Sequence, residues 1–311
     1  MDQSFPSLIK MSCPHPFRLG VPSYVYPADI LPNVKALAPY VDDIELVLFE
    51  SRSPDDRASN IPDPDIIQRL AELAQQHDLT YTVHFPIDRH LGSPDAEERR
   101  ALLRRILAIM DRTRPLAPFA YILHLEGITR DSDHARIRTW QNDIAELLPT
   151  LIERAGDPAF LCVENLNYPF AWCEPLLNRF GLGVCIDLGH LWVGSEAPRG
   201  RPQGIFAESC EASNTISPCG KPHGFLAKKD DNVEAHLKRH LPRTRVIHLH
   251  GVCDGHDHLA LTALPPGRLR QLLNSIDKFT GVLTLEIFNY KEVRDSVVCL
   301  NQCNCTVVRR Q

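Results

Sequence analysis

Tyr81-Thr82-Val83-His84, Tyr121-Ile122-Leu123-His124 and Phe160-Leu161-Cys162-Val163-Glu164 follow one plan: an apolar, strand-like run that ends in a metal-ligand residue. The three ends recur at equal intervals, each long enough for a turn, a helix and a strand. Three more runs close in the same way: Gly183-Val184-Cys185-Ile186-Asp187, Arg245-Val246-Ile247-His248 and Leu283-Thr284-Leu285-Glu286. One polar residue at one strand end says little. Six of them, all of types that bind divalent cations, predict that the C-terminal edge of a single parallel sheet carries a metal site. That is the layout of an α/β protein of the (β/α)8 barrel class, a TIM barrel, whose chemistry sits at the strand C-termini.

Outward from these runs, strand and helix patterns alternate along the chain, as a parallel α/β sheet requires. The expected strands are Arg18–Tyr24, Asp43–Glu50, Leu79–His84, Ala120–His124, Phe160–Glu164, Leu182–Asp187, Thr244–His250 and Val282–Phe288. Their apolar runs are continuous, which suits strands buried on both faces. Between them lie helical patterns, such as Pro64–His77 and the stripe Leu102, Leu103, Ile106, Leu107 and Met110. One barrel domain is expected over 17–302, after an N-terminal extension (1–16) and before a C-terminal tail (303–311). The long interval between Asp187 and His248 holds residues 194–226, rich in Gly, Pro, Ser and charge. It reads as an insertion after strand six on the active-site face. Its Cys210, Cys219 and His223 match no strong zinc spacing.

Composition narrows the function classes. The 311 residues are 23% charged and 43% hydrophobic, with a formal charge of −5. Duplex DNA binding draws on a basic stripe that neutralises phosphates, and none is visible, so nucleic acid is not an expected partner. Runs such as Glu97-Glu98-Arg99-Arg100 read as solvated helix faces. No segment is long and apolar enough to span a bilayer, and the start lacks a signal-peptide pattern. A cytoplasmic, reduced protein is expected, with Cys162 and Cys185 acting as small core hydrophobes. Cys299 is expected to face the barrel, and Cys303 and Cys305 to be incidental tail thiols.

The loops add further ligand types. Asp187-Leu188-Gly189-His190 places an imidazole just past a carboxylate, and His248-Leu249-His250 puts two on one side of a strand. Asp254-Gly255-His256-Asp257-His258 follows closely, and Glu50 closes the second strand. Carboxylates converging without a cation would repel one another, a cost that bound metal removes. Imidazole and carboxylate ligands favour zinc, manganese, iron or cobalt over magnesium or calcium. So many ligands exceed the needs of one ion. Two or three divalent ions would clamp a phosphate and activate a bridging water, whereas one would suit sugar isomerisation.

The series His84, His124, Glu164, Asp187-x-x-His190, His248, Asp254-x-His256 and Glu286 resembles the metal-binding set of the AP endonuclease family 2 / xylose isomerase-like barrels. The likeness runs from about Phe17 to about Leu300. It implies that Glu164 bridges two ions and that His84 and His124 serve one. Asp187, His190, His248, Asp254, His256 and Glu286 would then serve the others. The cluster offers a second placement, with Asp257 and His258 as ligands, and His250 is either a ligand or substrate-facing. Single-metal sugar isomerases and epimerases of this superfamily need chiefly Glu164, Asp187, a strand-seven His and Glu286. The presence of His84, His124 and His190 therefore points to the multinuclear hydrolases.

Within the family, the stretches Pro22–Asn33, Asp42–Glu50, Ile186–Leu191 and Leu241–Gly251 are similar to the cobamide-remodelling phosphodiesterase branch. This likeness implies hydrolysis of the nucleotide-loop phosphodiester of cobalamin and its relatives, with a small-molecule corrinoid as the partner. Glu164, Glu286 and His190 are the candidate catalytic residues. Tyr24, Tyr26, Phe85, Tyr168, Trp192 and Phe288 would offer the flat corrinoid a platform, joined by Glu50 and His250. The alternatives are a single-metal sugar isomerase or epimerase, then an AP endonuclease. Last comes a corrinoid-binding or metal-storage protein without turnover.

Overall fold

Inward and outward positions alternate along a strand, and in this chain that parity separates ligands from packing. The computed structural model describes residues 5–12, 15–49, 60–196, 233–265 and 267–307. Its strands are β1 (Arg18–Pro22), β2 (Asp43–Val47), β3 (Thr80–His84), β4 (Ala120–Leu123), β5 (Leu161–Glu164), β6 (Gly183–Asp187) and β7 (Thr244–Leu249). A hairpin of β8 (Gly251–Cys253) and β9 (His256–Leu259) follows, and then β10 (Val282–Leu285). Eight strands close into a barrel in the order β1-β10-β7-β6-β5-β4-β3-β2, every pair parallel. The expected (β/α)8 barrel is the observed one.

Helices α1 (Ile30–Leu37), α2 (Pro64–His77), α3 (Ala96–Thr113), α4 (His134–Ala155) and α5 (Glu174–Phe180) return the chain between the first six strands. After β6 come α6 (Leu188–Glu196) and α7 (Val233–His240), and then α8 (Arg268–Ser275) and α9 (Tyr290–Val307). The two longest inter-strand helices start on aspartate side chains: Asp95 accepts from the Glu97 N–H and Asp133 from the Arg136 N–H. Outward-facing strand residues meet the helices, as where the Tyr81 hydroxyl donates to the Leu70 carbonyl at 2.8 Å. Inward-facing Ala120, Ile122, Cys162, Cys185, Val246 and Val282 form a separate apolar plug inside the barrel. Two residues beyond Ile122, Cys162, Cys185 and Val246 stand His124, Glu164, Asp187 and His248. The ligand-type side chains thus lie directly on top of the plug.

Two details depart from the sequence reading. Arg99 is not on a solvated face; it is buried and pairs with Asp143 at 3.1 Å. The last helix carries Cys299 and Cys303 and runs on to Val307, past the expected domain end. The expected insertion over 194–226 lies from residue 197 onward outside the described residues, with Cys210, Cys219 and His223. Among the described residues no helix is long and apolar enough to cross a membrane.

Candidate metal centre

Glu164, at the end of β5, is 1% exposed and sits at the middle of the ligand-type residues. Its Oε2 lies 3.0 Å from His124 Nε2, 3.5 Å from His84 Nε2 and 3.6 Å from His248 Nδ1. Its Oε1 turns the other way, 3.5 Å from His190 Nδ1. The imidazoles of His84 and His124 are each aimed by a bond at the far nitrogen. His84 Nδ1 lies 2.9 Å from the Phe85 carbonyl, and His124 Nδ1 lies 3.2 Å from Glu126 Oε1. Glu126 is held in turn by His90, whose Nε2 is 2.9 Å from Oε2.

The second side is built where β6 runs straight into α6. Asp187 Oδ1 accepts the His190 backbone N–H at 2.6 Å, so the carboxylate caps the helix that carries the histidine. Asn165 clamps Asp187 from β5's extension, accepting from its N–H and donating to its carbonyl, both at 2.8 Å. The backbone N–H of His258 donates to His250 Nδ1 at 2.9 Å, which leaves the ring proton on Nε2, 3.3 Å from Asp187 Oδ2. His250 therefore braces Asp187. The His250 ring fills the space above Gly189, where an added Cβ would lie 1.8 Å from His250 Cε1.

The third side joins β7 and β10. His248 Nδ1 is 3.2 Å from Glu286 Oε2 and 3.8 Å from Asp187 Oδ2. His258 Nδ1 is 2.9 Å from the Glu286 carbonyl and 3.7 Å from its Oε2. Ligand atoms come within 4.8 Å of one another in several groups, among them His84/His124/Glu164, His190/Asp257/His258 and His250/His258/Glu286.

Do these residues fit divalent ions? His248 Nδ1 and Glu286 Oε2 are buried, close together and without any hydrogen bond. Buried polar atoms almost always have partners, and a cation between these two would supply one. The donor set, imidazole and carboxylate, is that of zinc, manganese or iron. The residues fit. Without metal, protons do the balancing. Burial opposes charge on His124, but Glu164 and Glu126 outweigh it and push its pKa up to about 10. Burial would raise the Glu164 carboxyl, yet His124 and His248 hold it well below the usual carboxylate range. Glu286 is held well down against burial by His248 and His258, and Asp187 is lowered against burial by His190 and His250.

Of the expected ligands, the structure brings together His84, His124, Glu164, Asp187, His190, His248 and Glu286. Asp254 and His256 are corrected: both are exposed at the tip of the β8–β9 hairpin. Cys253 pairs with His256, and Asp254 (φ 52°) and Gly255 (φ 79°) form the two-residue turn between them. It is the alternative pair, Asp257 and His258, that reaches His190.

The aromatic platform is also corrected in part. Phe85 is 2% exposed and stacks on Tyr121 at 5.4 Å. Tyr26 is buried between Phe5 and Tyr290, its hydroxyl on the Pro6 carbonyl at 2.6 Å. Tyr168 is buried with its hydroxyl on the Leu125 carbonyl, and Trp192 is buried beside the Arg268 guanidinium. Phe288 does face solvent at the mouth, 5.4 Å from the His258 ring, and Tyr24 lies half-buried beside exposed Phe49. Glu50 lies outside the described residues.

Sequence reasoning missed three residues. Glu45, Glu126 and Asn165 are hydrogen-bonded to His248, His124 and Asp187, and none of them ends an apolar run. Cys185 comes within ligand distance of Glu164 and His248. Burial raises its thiol well above the ordinary range, the state of a core hydrophobe.

The chain belongs to the xylose isomerase-like TIM barrel family, whose profile matches residues 41–303. No curated protein matches it. Among solved structures, a D-tagatose 3-epimerase-like protein is 17% identical, with a TM-score of 0.65 over 94% of this chain and 99% of its own. Endonuclease IV from Thermus thermophilus is 15% identical, with a TM-score of 0.62 over 93% and 99%. Another Thermus thermophilus protein, soaked with zinc chloride, is 20% identical, with a TM-score of 0.60 over 94% and 98%. At these identities the likeness speaks for the barrel alone.

Proposed function

We propose that the chain is a metal-dependent phosphodiesterase that hydrolyses the nucleotide-loop phosphodiester of cobamides, using two or three divalent ions. One observation carries the hydrolase reading. His84/His124/Glu164 and His190/Asp257/His258 are two ligand-spaced groups with no residue in common, and Glu164 Oε1 faces the second group's His190. Bound ions would lower the pKa of a water and neutralise charge on the phosphodiester. Glu164 spans the two groups. His190 and His258 are partly open to solvent, 23% and 27% exposed, so the scissile phosphate would approach over them. Glu286, a candidate catalytic residue, lies behind them with its carboxylate beside His248 and His258. The choice of substrate rests on the likeness of residues 22–33, 42–50, 186–191 and 241–251 to the cobamide-remodelling branch, with Phe288 and Tyr24 placed at the mouth.

The test is mass spectrometry of adenosylcobalamin after incubation with protein loaded separately with zinc, manganese or iron. Release of a cobinamide species and a ribosylated base is expected; intact cobalamin with every metal would sink the assignment. Glu164→Ala should abolish both metal loading and turnover.

A single-metal sugar isomerase or epimerase is the second reading, and one feature favours it. His248 Nδ1 gathers Glu164, Asp187 and Glu286 within 3.6, 3.8 and 3.2 Å, the four residues that chemistry needs. That reading expects one ion per chain and tolerance of His84→Ala, so metal content separates the two.

A further inference from the structure

Glu45 is a carboxylate in the middle of β2, 0% exposed, on the inward-facing side of the barrel that it shares with buried Asp43, Thr82 and Thr284. Its Oε2 lies 2.8 Å from His248 Nε2, and His248 is also 0% exposed. Strands β2 and β7 are not adjacent; β1 and β10 stand between them. The contact therefore crosses the lumen. Small residues on the intervening strands leave room for it. Gly20 of β1 has no side chain, and a Cβ there would press to 2.9 Å from Thr284 Oγ1 of β10.

A carboxyl group buried this deeply calls for a hydrogen-bond partner, because desolvation without one is costly. Here the partner is the imidazole's far nitrogen. With Nε2–H donating to Glu45, the nitrogen left to exchange its proton for a metal is Nδ1, and Nδ1 is the atom that faces Glu164, Asp187 and Glu286. A carboxylate behind a ligating histidine fixes its tautomer and orientation and raises its basicity.

We propose that Glu45 is a positioning residue of the metal centre, committing His248 to bind through Nδ1. This inference rests on the metal centre and not on the identity of the substrate. A competing role exists on the same geometry, since Glu45 also comes within ligand distance of His84 and Glu286. Glu45→Gln separates them, because an amide oxygen accepts the same bond but makes a poor anionic ligand.

The experiment is a cobalt(II) titration of full-length protein in competition with a chelator, read by the visible spectrum. Glu45→Ala should weaken binding about 10- to 100-fold and change the spectrum. Glu45→Gln should keep the ion count and the spectrum. Unchanged affinity and spectrum in Glu45→Ala would overturn the proposal, and so would loss of a whole ion in Glu45→Gln. If Glu45→Ala does not fold, the 15N imidazole spectrum of the zinc-loaded natural chain decides. A His248 proton on Nε2 is expected; one on Nδ1 refutes the proposal.

Discussion

Gly189 shows how little freedom a single position has at this site. It lies between Asp187 and His190, and a Cβ there would sit 1.8 Å from His250 Cε1 and 2.3 Å from Nε2. No rotamer adjustment of a buried ring absorbs such an overlap, so Gly189→Ala must expel His250 and with it the brace on Asp187. We expect a loss of about 1–3 kcal/mol in urea unfolding and a metal affinity reduced at least several-fold. Wild-type metal affinity in a folded Gly189→Ala protein would show that His250 does not hold Asp187. At this scale the sequence was informative where chemistry coincided with a strand end. His84, His124, Glu164, Asp187, His248 and Glu286 were all legible for that reason. Glu45 was not, because an acidic residue inside the run Asp43-Ile44-Glu45-Leu46-Val47 looks like ordinary alternation until closure of the barrel turns the inner face into an interior.

Among the elements, the β8–β9 hairpin decides which residues of Asp254-Gly255-His256-Asp257-His258 can be ligands. Asp-Gly is a strong signal for a two-residue hairpin turn, since both central residues need positive φ, and here both have it. The acid-x-histidine spacing competed with that signal in the sequence, and the turn prevailed. Accordingly His256→Ala, and Asp254→Asn, which suits the turn equally well, should leave metal content unchanged. His258→Ala should lose an ion, read by elemental analysis of dialysed protein. Loss of metal from His256→Ala would instead mean that the hairpin rearranges on loading. Parity explains the misplaced aromatics in the same way. Phe85 follows the inward-facing His84 by one residue and so must point out into the helices. Phe288 follows Glu286 by two and so reaches the mouth. Being at a strand end was legible; which side of the strand was used required counting by twos.

For the molecule as a whole, the metal-free form should lose stability as pH rises through a range in which the metal-loaded form does not. Without metal, His124 is charged between Glu164 and Glu126, with its pKa raised from 6.5 to about 10. A raised pKa contributes stability that is complete below about 6.5 and is lost as pH climbs towards 10. Glu126 works from the acid side. Burial opposes its ionisation, but His124 and His90 lower it from 4.5 to about 2, so its contribution is complete above 4.5 and lost as pH falls towards 2. The metal-free protein should therefore melt highest between these limits and weaken steadily as pH rises above 6.5. Metal takes the place of the His124 proton, and its binding releases that proton, so affinity grows with pH over the same range. The gap in Tm between zinc-loaded and chelator-treated protein should then widen from about pH 6 to about pH 9 in a calorimetric series. A gap that stays constant would mean that the imidazole proton and the metal do not compete. His124 would then be a structural partner of Glu164 and Glu126, and the ligand set would shrink towards the single-ion arrangement around His248.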